Sequence, residues 1–356
     1  MKNVINTNKV DFTKQPMFFG EGLNIQRYDV FSHKKFYDLF QQQLSFFWRP
    51  EEVSLTKDVN DFKSLSDNEK DIFTKNLSYQ ILLDSVQARA ISSLCSHVSI
   101  PELEACMVIW QAFEQIHSYS YTYIIKNVYP DVSEIFDGVM NNDKIMNRAT
   151  SVTKYYDDLI ASMSDTSKQD KKEKLYLTLV SVNILEGIRF YVSFACSYAF
   201  AENKKMEGNA KIIALINRDE NVHLAITQNI LKIMNTDDKE GFVEIAKKYK
   251  DKVVKMYEDA ANEEMEWAKY LFQDGSMLGL NDEILIRYMK WLTNKRTTSI
   301  GLGNIFEKAD NPINWIKNWT ESKDVQNAPQ ETELESYKIG SFKHDVDKVD
   351  FGKFKF

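Results

Sequence analysis

Cysteine, proline and glycine are all scarce in this chain. Its 3 cysteines, Cys95, Cys106 and Cys196, form no C-x-x-C pair and leave an odd number. That excludes a disulfide framework and leads us to expect a reducing compartment, the cytoplasm by default. With 12 glycines and 6 prolines in 356 residues, a collagenous or small-repeat β architecture is excluded, and the 43% hydrophobic, 27% charged composition excludes wholesale disorder. A basic surplus is missing as well. Lys plus Arg number 45 against 52 Asp plus Glu, a formal charge of −7, so no direct nucleic-acid partner is expected. The opening MKNVINTNKVDF has no apolar core, so no secretory leader is expected.

One hydrophobic run is long enough to cross a bilayer, Leu175 to Ala201. Asn183, Glu186 and Arg189 lie near its middle, where ionised groups in lipid cost about 2.5 to 3.5 kcal/mol each. A buried helix is the better reading, with no membrane partner, and Glu186 then needs a reason to be there.

What is present is helical periodicity. An irregular arm is expected over 1–30, followed by a helix from Phe31 to Phe47 that ends at Trp48-Arg49-Pro50. Ser66 and Glu69 form a capping box opening a helix over 67–93, and Ser99, Pro101 and Glu102 repeat the signal for a helix ending near Val128. Further helices are expected over about 171–202, 210–235, 238–273 and 282–300. From about Ser322 periodicity dissolves, so 31–321 reads as one helical domain and 322–356 as a flexible tail without a core of its own.

Two motifs stand out, Glu114-Gln-Ile-His117 and Glu220-Asn-Val-His223. Residues three apart on a helix lie about 60° from each other, so each pair can reach one metal ion. A single E-x-x-H is weak evidence. Here, however, two of only 5 histidines fall in the motif, while His33, His97 and His344 read as ordinary surface or loop residues. Asp84 and Glu186 each interrupt an apolar stretch, and buried carboxylates rarely persist unless paired or metal-bound. One carboxylate from each of two helices plus Glu-x-x-His from each of two others is the ligand set of ferritin-like dimetal bundles. The four carboxylates balance two divalent cations, and the mixed oxygen and nitrogen donors suit iron or manganese. Buried ion pairs with Lys or Arg are the competing reading.

Among the tyrosines after the first motif, Tyr121 returns to within about 20° of Glu114, whereas Tyr119 and Tyr123 are turned by about 140° and 180°. Only Tyr121 therefore shares the metal face, its Cα about 6 Å along the axis from that of His117. Phe190 and Phe194 follow Glu186 at i+4 and i+8, and Ile216 precedes Glu220 at i−4. Such a stripe is ordinarily core; around an oxidising centre it would also exclude water and reductants.

These residues resemble a known family, the radical-generating small (β) subunit of class I ribonucleotide reductase, most closely its class Ia form. PMFFG at 16–20, QLSFFWRPEEV at 43–53, LLDS at 82–85, SIPELE at 99–104, SVNILEGIRFYVSFACS at 181–197, MEGNAKII at 206–213 and RDENVHL at 218–224 look like its characteristic blocks. The resemblance implies an all-α, ferritin-like helical bundle with additional helices, working as a homodimer. It implies that Asp84, Glu114, His117, Glu186, Glu220 and His223 bind two irons per chain, with manganese as an alternative. Tyr121 would become a tyrosyl radical after reaction with O2 and an external electron donor. By the same resemblance Trp48 relays an electron through Asp219, a partner of His117, and Tyr337 continues the path into the large (α) subunit, which the C-terminal tail docks and which reduces the ribonucleotides. Two departures are visible: Tyr119 and Tyr123 flank Tyr121 where close relatives carry Arg and His, and the ending DFGKFKF is more basic than the family's usual tail. A dimetal oxygenase or oxidase acting on its own substrate, or a ferritin-type iron-binding protein, would share the ligands.

Overall fold

A computed structural model describes residues 5–162 and 167–320. Helices dominate, and among the described residues extended pairing is limited to the isolated bridges Phe18 with Val98 and Met277 with Leu280. The N-terminal segment is irregular apart from one 3₁₀ turn, Phe12–Lys14, and is anchored by the buried Met17 and Phe18. The first helix, α1, runs Lys34–Ser45 and α2 runs Thr56–Ser64. α3, Asp67–Cys95, opens on the capping box: Ser66 Oγ accepts from the Glu69 N–H and the Glu69 carboxylate accepts from the Ser66 N–H at 2.9 Å.

α4, Pro101–Val128, starts where expected but by another device. Its N-cap is Ile100, and Ser99 Oγ instead accepts from the Gly20 N–H at 2.7 Å. Glu102 turns its carboxylate toward α1, accepting from the Ser32 and His33 N–H groups at 2.8 Å each. Proline at the first helical position, whose missing N–H would have no partner anyway, suffices for the start.

Besides α2 and the short last helix, two helices were not expected from sequence. Asp131 caps α5, Val132–Met140, and Asn142 caps α6, Asp143–Ala161, each side chain accepting from two backbone N–H groups. The Tyr129-Pro130-Asp131 stop is thus also a start. α7 runs Lys168–Ile184, begun early by the Ser167 cap; a wide π turn spans Leu185–Arg189, and α8 continues from Tyr191 to Glu202. α9, Glu207–Thr236, begins ahead of the expected Ala210 because Asp58 of α2 reaches across to it, its carboxylate accepting from the N–H groups of Gly208 at 3.0 Å and Asn209 at 2.6 Å. A side chain on Gly208 would meet Ser54 O at 2.7 Å, so the approach of α2 to α9 requires glycine. α10, Val243–Leu271, α11, Asp282–Ser299, and a short α12, Lys317–Thr320, complete the described chain.

The bundle's centre is α3 packed on α4 and α7–α8 packed on α9, with α6 and α10 against α7. Every residue from Leu175 to Ala201 is buried, as expected of a helix apolar on all faces at the middle of a large core. Although α7 through α8 is long and apolar enough to cross a membrane, its apolar window lies wholly inside the protein. Its polar residues have partners: Asn183 donates to Thr227 Oγ1 at 2.7 Å, and Arg189 meets Glu263 at 2.7 Å and Ser151 at 2.8 Å. Of the two readings open for His97, loop rather than surface holds: it sits in the turn after α3 at 5% exposure, its ring 4.8 Å from that of Phe19, because the N-terminal segment folds over it. His344 lies outside the described residues.

Candidate metal centre

The periodicity that made the E-x-x-H pairs visible puts Glu114 and His117 on the inner face of α4 and Glu220 and His223 on the inner face of α9, all fully buried. α3 adds Asp84 and the π turn adds Glu186, both also fully buried. The structure brings the six together as two overlapping groups, Asp84, Glu114, His117, Glu220 and Glu114, Glu186, Glu220, His223, in each of which one ligand atom per residue lies within 4.8 Å of the others. Glu114 and Glu220 are common to both. His117 Nδ1 is 3.1 Å from Glu220 Oε1 and 3.6 Å from Glu114 Oε2. His223 Nδ1 is 3.1 Å from Glu114 Oε1 and 2.9 Å from Glu220 Oε2.

Whether this pocket suits cations can be tested on its unsatisfied atoms. Both oxygens of Asp84, Glu114 Oε2, Glu186 Oε2, Glu220 Oε1 and His117 Nδ1 are buried without a hydrogen-bond partner. Leaving that many acceptors dry is costly unless something positive fills the space. Among the described residues neither Lys nor Arg pairs with any of the six, the ion-pair contacts there being to histidine alone. That counts against the buried ion-pair reading. The donor set, four carboxylates and two imidazoles, fits two divalent cations.

Protonation tells the same story. Burial, then the Glu114 charge, pushes Asp84 well above the usual carboxylate range; burial, then Glu220, does the same to Glu186. Burial and Glu114 raise Glu220 to about 8. For Glu114 burial is outweighed by the two imidazoles, which hold it at about 2, and for His117 burial is outweighed by Glu220 and Asp219, which raise it well above its ordinary value. Crowded together in a dry core, Asp84, Glu186, Glu220 and the His117 imidazole are all biased toward their protonated forms, while Glu114 keeps its charge.

Around the cluster, Tyr121 is fully buried, and burial followed by the Asp84 charge raises its phenol well above the ordinary value. Tyr119 is 47% exposed and bonds to Glu51, while Tyr123 is half-buried and donates to Val53 O at 3.0 Å. Of the three, Tyr121 alone is on the buried side. The buried Trp48 donates from Nε1 to Asp219 Oδ2 at 2.7 Å, and the same oxygen lies 3.3 Å from His117 Nε2, so an unbroken polar line runs from Trp48 to the cluster. Phe190, Phe194 and Ile216 are fully buried in the same core. The regular angular count from Glu186 to the two phenylalanines does not apply, because the π turn intervenes, yet their rings still stack on each other at 5.6 Å. Tyr337 lies outside the described residues.

Sequence reasoning missed three neighbours. Trp110 Nε1 donates to Glu114 Oε1 at 2.7 Å and its ring stacks on His223; Gln87 donates to Glu186 Oε1; Arg218 grips Asp219 Oδ1 at 3.1 Å and Phe46 O at 2.6 Å. Spacing could have found two of them, since Trp110 precedes Glu114 by one turn and Gln87 follows Asp84 by nearly one. Arg218 gave no such signal, adjacent helix positions pointing apart.

Comparison with known proteins follows the same lines. Residues 27–312 match the family model described as "Ribonucleotide reductase, small chain". The chain is 48% identical over 367 residues to ribonucleoside-diphosphate reductase subunit beta of Buchnera aphidicola subsp. Baizongia pistaciae, covering 98% of both chains. It is 46% identical to ribonucleoside-diphosphate reductase 1 subunit beta of Escherichia coli O157:H7, covering 98% of this chain and 97% of that one. Among solved structures, the ribonucleotide reductase R2 subunit from Clostridium botulinum superposes with a TM-score of 0.81 at 28% identity, over 90% of this chain and 98% of that one.

Proposed function

The chain belongs to the ribonucleotide reductase small-chain family, a class I small (β) subunit that acts with a large (α) subunit, and from that membership we propose how its residues divide the work. Asp84 and His117 would hold one metal ion and Glu186 and His223 the other, with Glu114 and Glu220, which belong to both groups, available to each. The proposed ions are iron, with manganese the alternative the same donors allow. Reducing O2 to water takes four electrons, of which two ferrous ions supply two, a phenol one and an external donor the fourth.

Tyr121 is the proposed phenol. Its burial keeps solvent reductants away, Asp84 is the nearest charge to act on its phenol, and Phe190, Phe194 and Ile216 complete a dry wall on which a tyrosyl radical would persist. Trp48, Asp219 and His117 provide the hydrogen-bonded route for electrons between the cluster and the outside, with Arg218 holding the Asp219 carboxylate in place. Tyr337 and the rest of 322–356, outside the described residues, are proposed to carry that route into the large subunit and to dock it.

The observation that supports this reading best is the pair of overlapping four-residue groups sharing Glu114 and Glu220, beside a single buried tyrosine of the HSYSYTY run. The test is to load metal-free chain with Fe(II) and O2, count iron, and assay ribonucleoside-diphosphate reduction with and without the large subunit. We expect two irons per chain and turnover only with both subunits; truncation after Glu321 should keep the iron and abolish turnover. Iron far above two indicates storage, turnover on another substrate by this chain alone indicates an oxygenase, and full turnover by the truncated chain refutes the tail's role.

A further inference from the structure

Glu186 differs from the other five residues of the centre. It alone sits on the π turn, and, like Asp84, its carboxylate makes no close ion-pair contact with either imidazole. A π turn widens the helix and frees carbonyls from their regular partners. Here Arg296 of α11 takes the freed Gly187 carbonyl, donating from Nε at 3.1 Å, and holds Tyr191 OH at 2.7 Å with Nη2. The backbone beside Glu186 is therefore fixed, but its side chain still has rotatable bonds. What fixes the carboxylate comes from α3 and α6. Gln87 Nε2 donates to Glu186 Oε1, and Gln87 Oε1 accepts from Tyr156 OH at 2.6 Å, all three residues being buried. Glu186 Oε2 is left without a partner, free for the group it forms with Glu114, Glu220 and His223.

We propose that Gln87 and Tyr156 are positioning residues that orient Glu186 and thereby set the affinity of one of the two metal positions, the one shared with His223. This deepens the dimetal reading and rests on it. A glutamine amide can sit two ways round, and only one presents N–H to a carboxylate. The Tyr156 hydroxyl decides between them: donating to the amide oxygen, it turns the NH2 toward Glu186. The amide then occupies one carboxylate oxygen and leaves the other for a cation, so Glu186 binds through a single oxygen. Without Gln87 the carboxylate can rotate; without Tyr156 the amide can invert and oppose its oxygen to the carboxylate. Among the described residues the relay's hydrogen bonds run to Glu186 and not to Asp84 or His117, on which the other metal position is built.

Mn(II) titration of the metal-free chain, followed by the electron paramagnetic resonance of free and spin-coupled ions, tests the proposal without depending on activity. The native chain should bind two Mn(II) with two resolved constants. Gln87→Met, similar in size but lacking the donor, should weaken one constant by about 10- to 100-fold and leave the other within about threefold, the range expected when a ligand's hydrogen-bond partner is removed. Tyr156→Phe should weaken the same constant by less and change the spin-coupled signal, and it carries the test alone if Gln87→Met does not fold. Tyr79→Phe is the matched control: it deletes another buried phenol, one that donates at 2.8 Å to Glu264, which is not among the six, and should alter neither constant. Native constants in the Gln87 and Tyr156 variants, or a parallel loss in both constants that Tyr79→Phe reproduces, would overturn the inference and leave the dimetal reading standing. A native chain that binds no Mn(II) pair would overturn both.

Discussion

At the scale of single residues, the centre is a set of charges that water would welcome and a dry core penalises. Glu220 held at about 8, and Asp84 and Glu186 raised with it, mean that the metal-free folded chain binds protons which the unfolded chain, with ordinary carboxylates, releases. A pKa raised on folding contributes stability that is present below the unfolded value, 4.5 for Glu220, and lost as pH climbs through the folded one, about 8. The raised His117 acts in the same direction, whereas Glu114, held at about 2, loses its contribution only in acid below 4.5. Between pH 5 and pH 8 the metal-free chain should therefore lose thermal stability. Cations compete with those protons, so the stabilisation gained from added Mn(II) should grow over the same interval and loading should release protons. Differential scanning calorimetry with and without metal reads both trends; a metal-free unfolding temperature that climbs from pH 5 to pH 8 would show the assigned protonation to be wrong. The two E-x-x-H pairs and Tyr121 were legible because helix periodicity converts spacing directly into a shared face, whereas Asp84 and Glu186 showed only as acids interrupting apolar stretches. Gln87 was not singled out because its part depends on Tyr156, from a helix absent from the sequence reading.

At the scale of elements, helix ends in this fold are completed by other helices. Glu102 of α4 receives the N–H groups of Ser32 and His33 just ahead of α1, and Asp58 of α2 receives those of the first turn of α9. Local start signals could not reveal either, which is why α9 begins earlier than expected. The omission of α6 has a different cause, since Ile145, Ala149, Val152, Tyr156 and Leu159 keep a helical period throughout and are all buried; Pro130 and the polar residues around Asn142 concealed it. The π turn was beyond reach because it depends on Arg296, over a hundred positions away, to accept its geometry. Since α9 carries Asp219, Glu220 and His223, its first turn matters to the centre. Asp58→Ala strands two buried N–H groups, each worth about 1 to 3 kcal/mol when left unsatisfied, partly relieved by water. Urea unfolding should show a loss of about 1 to 3 kcal/mol, with faster hydrogen exchange at Gly208 and Asn209. Unchanged exchange there would mean that Asp58 is not the cap.

At the scale of the whole molecule, the bundle sets the chemistry by burial and by sharing. Four helices converge so that two carboxylates belong to both four-residue groups, and the most apolar helix of the chain, unreadable by periodicity because it is apolar on every side, adds Glu186 from its one distorted turn. The same convergence leaves a single tyrosine of the HSYSYTY run fully buried, where an unpaired electron would be shielded from solvent. The central claim is that Tyr121 is that residue. Its most direct test is electron paramagnetic resonance of the native and Tyr121→Phe chains after Fe(II) and O2, with iron measured on the same samples. The account predicts a tyrosyl signal in the native chain and none in Tyr121→Phe, both holding two irons; a native-strength tyrosyl signal in the variant would contradict it.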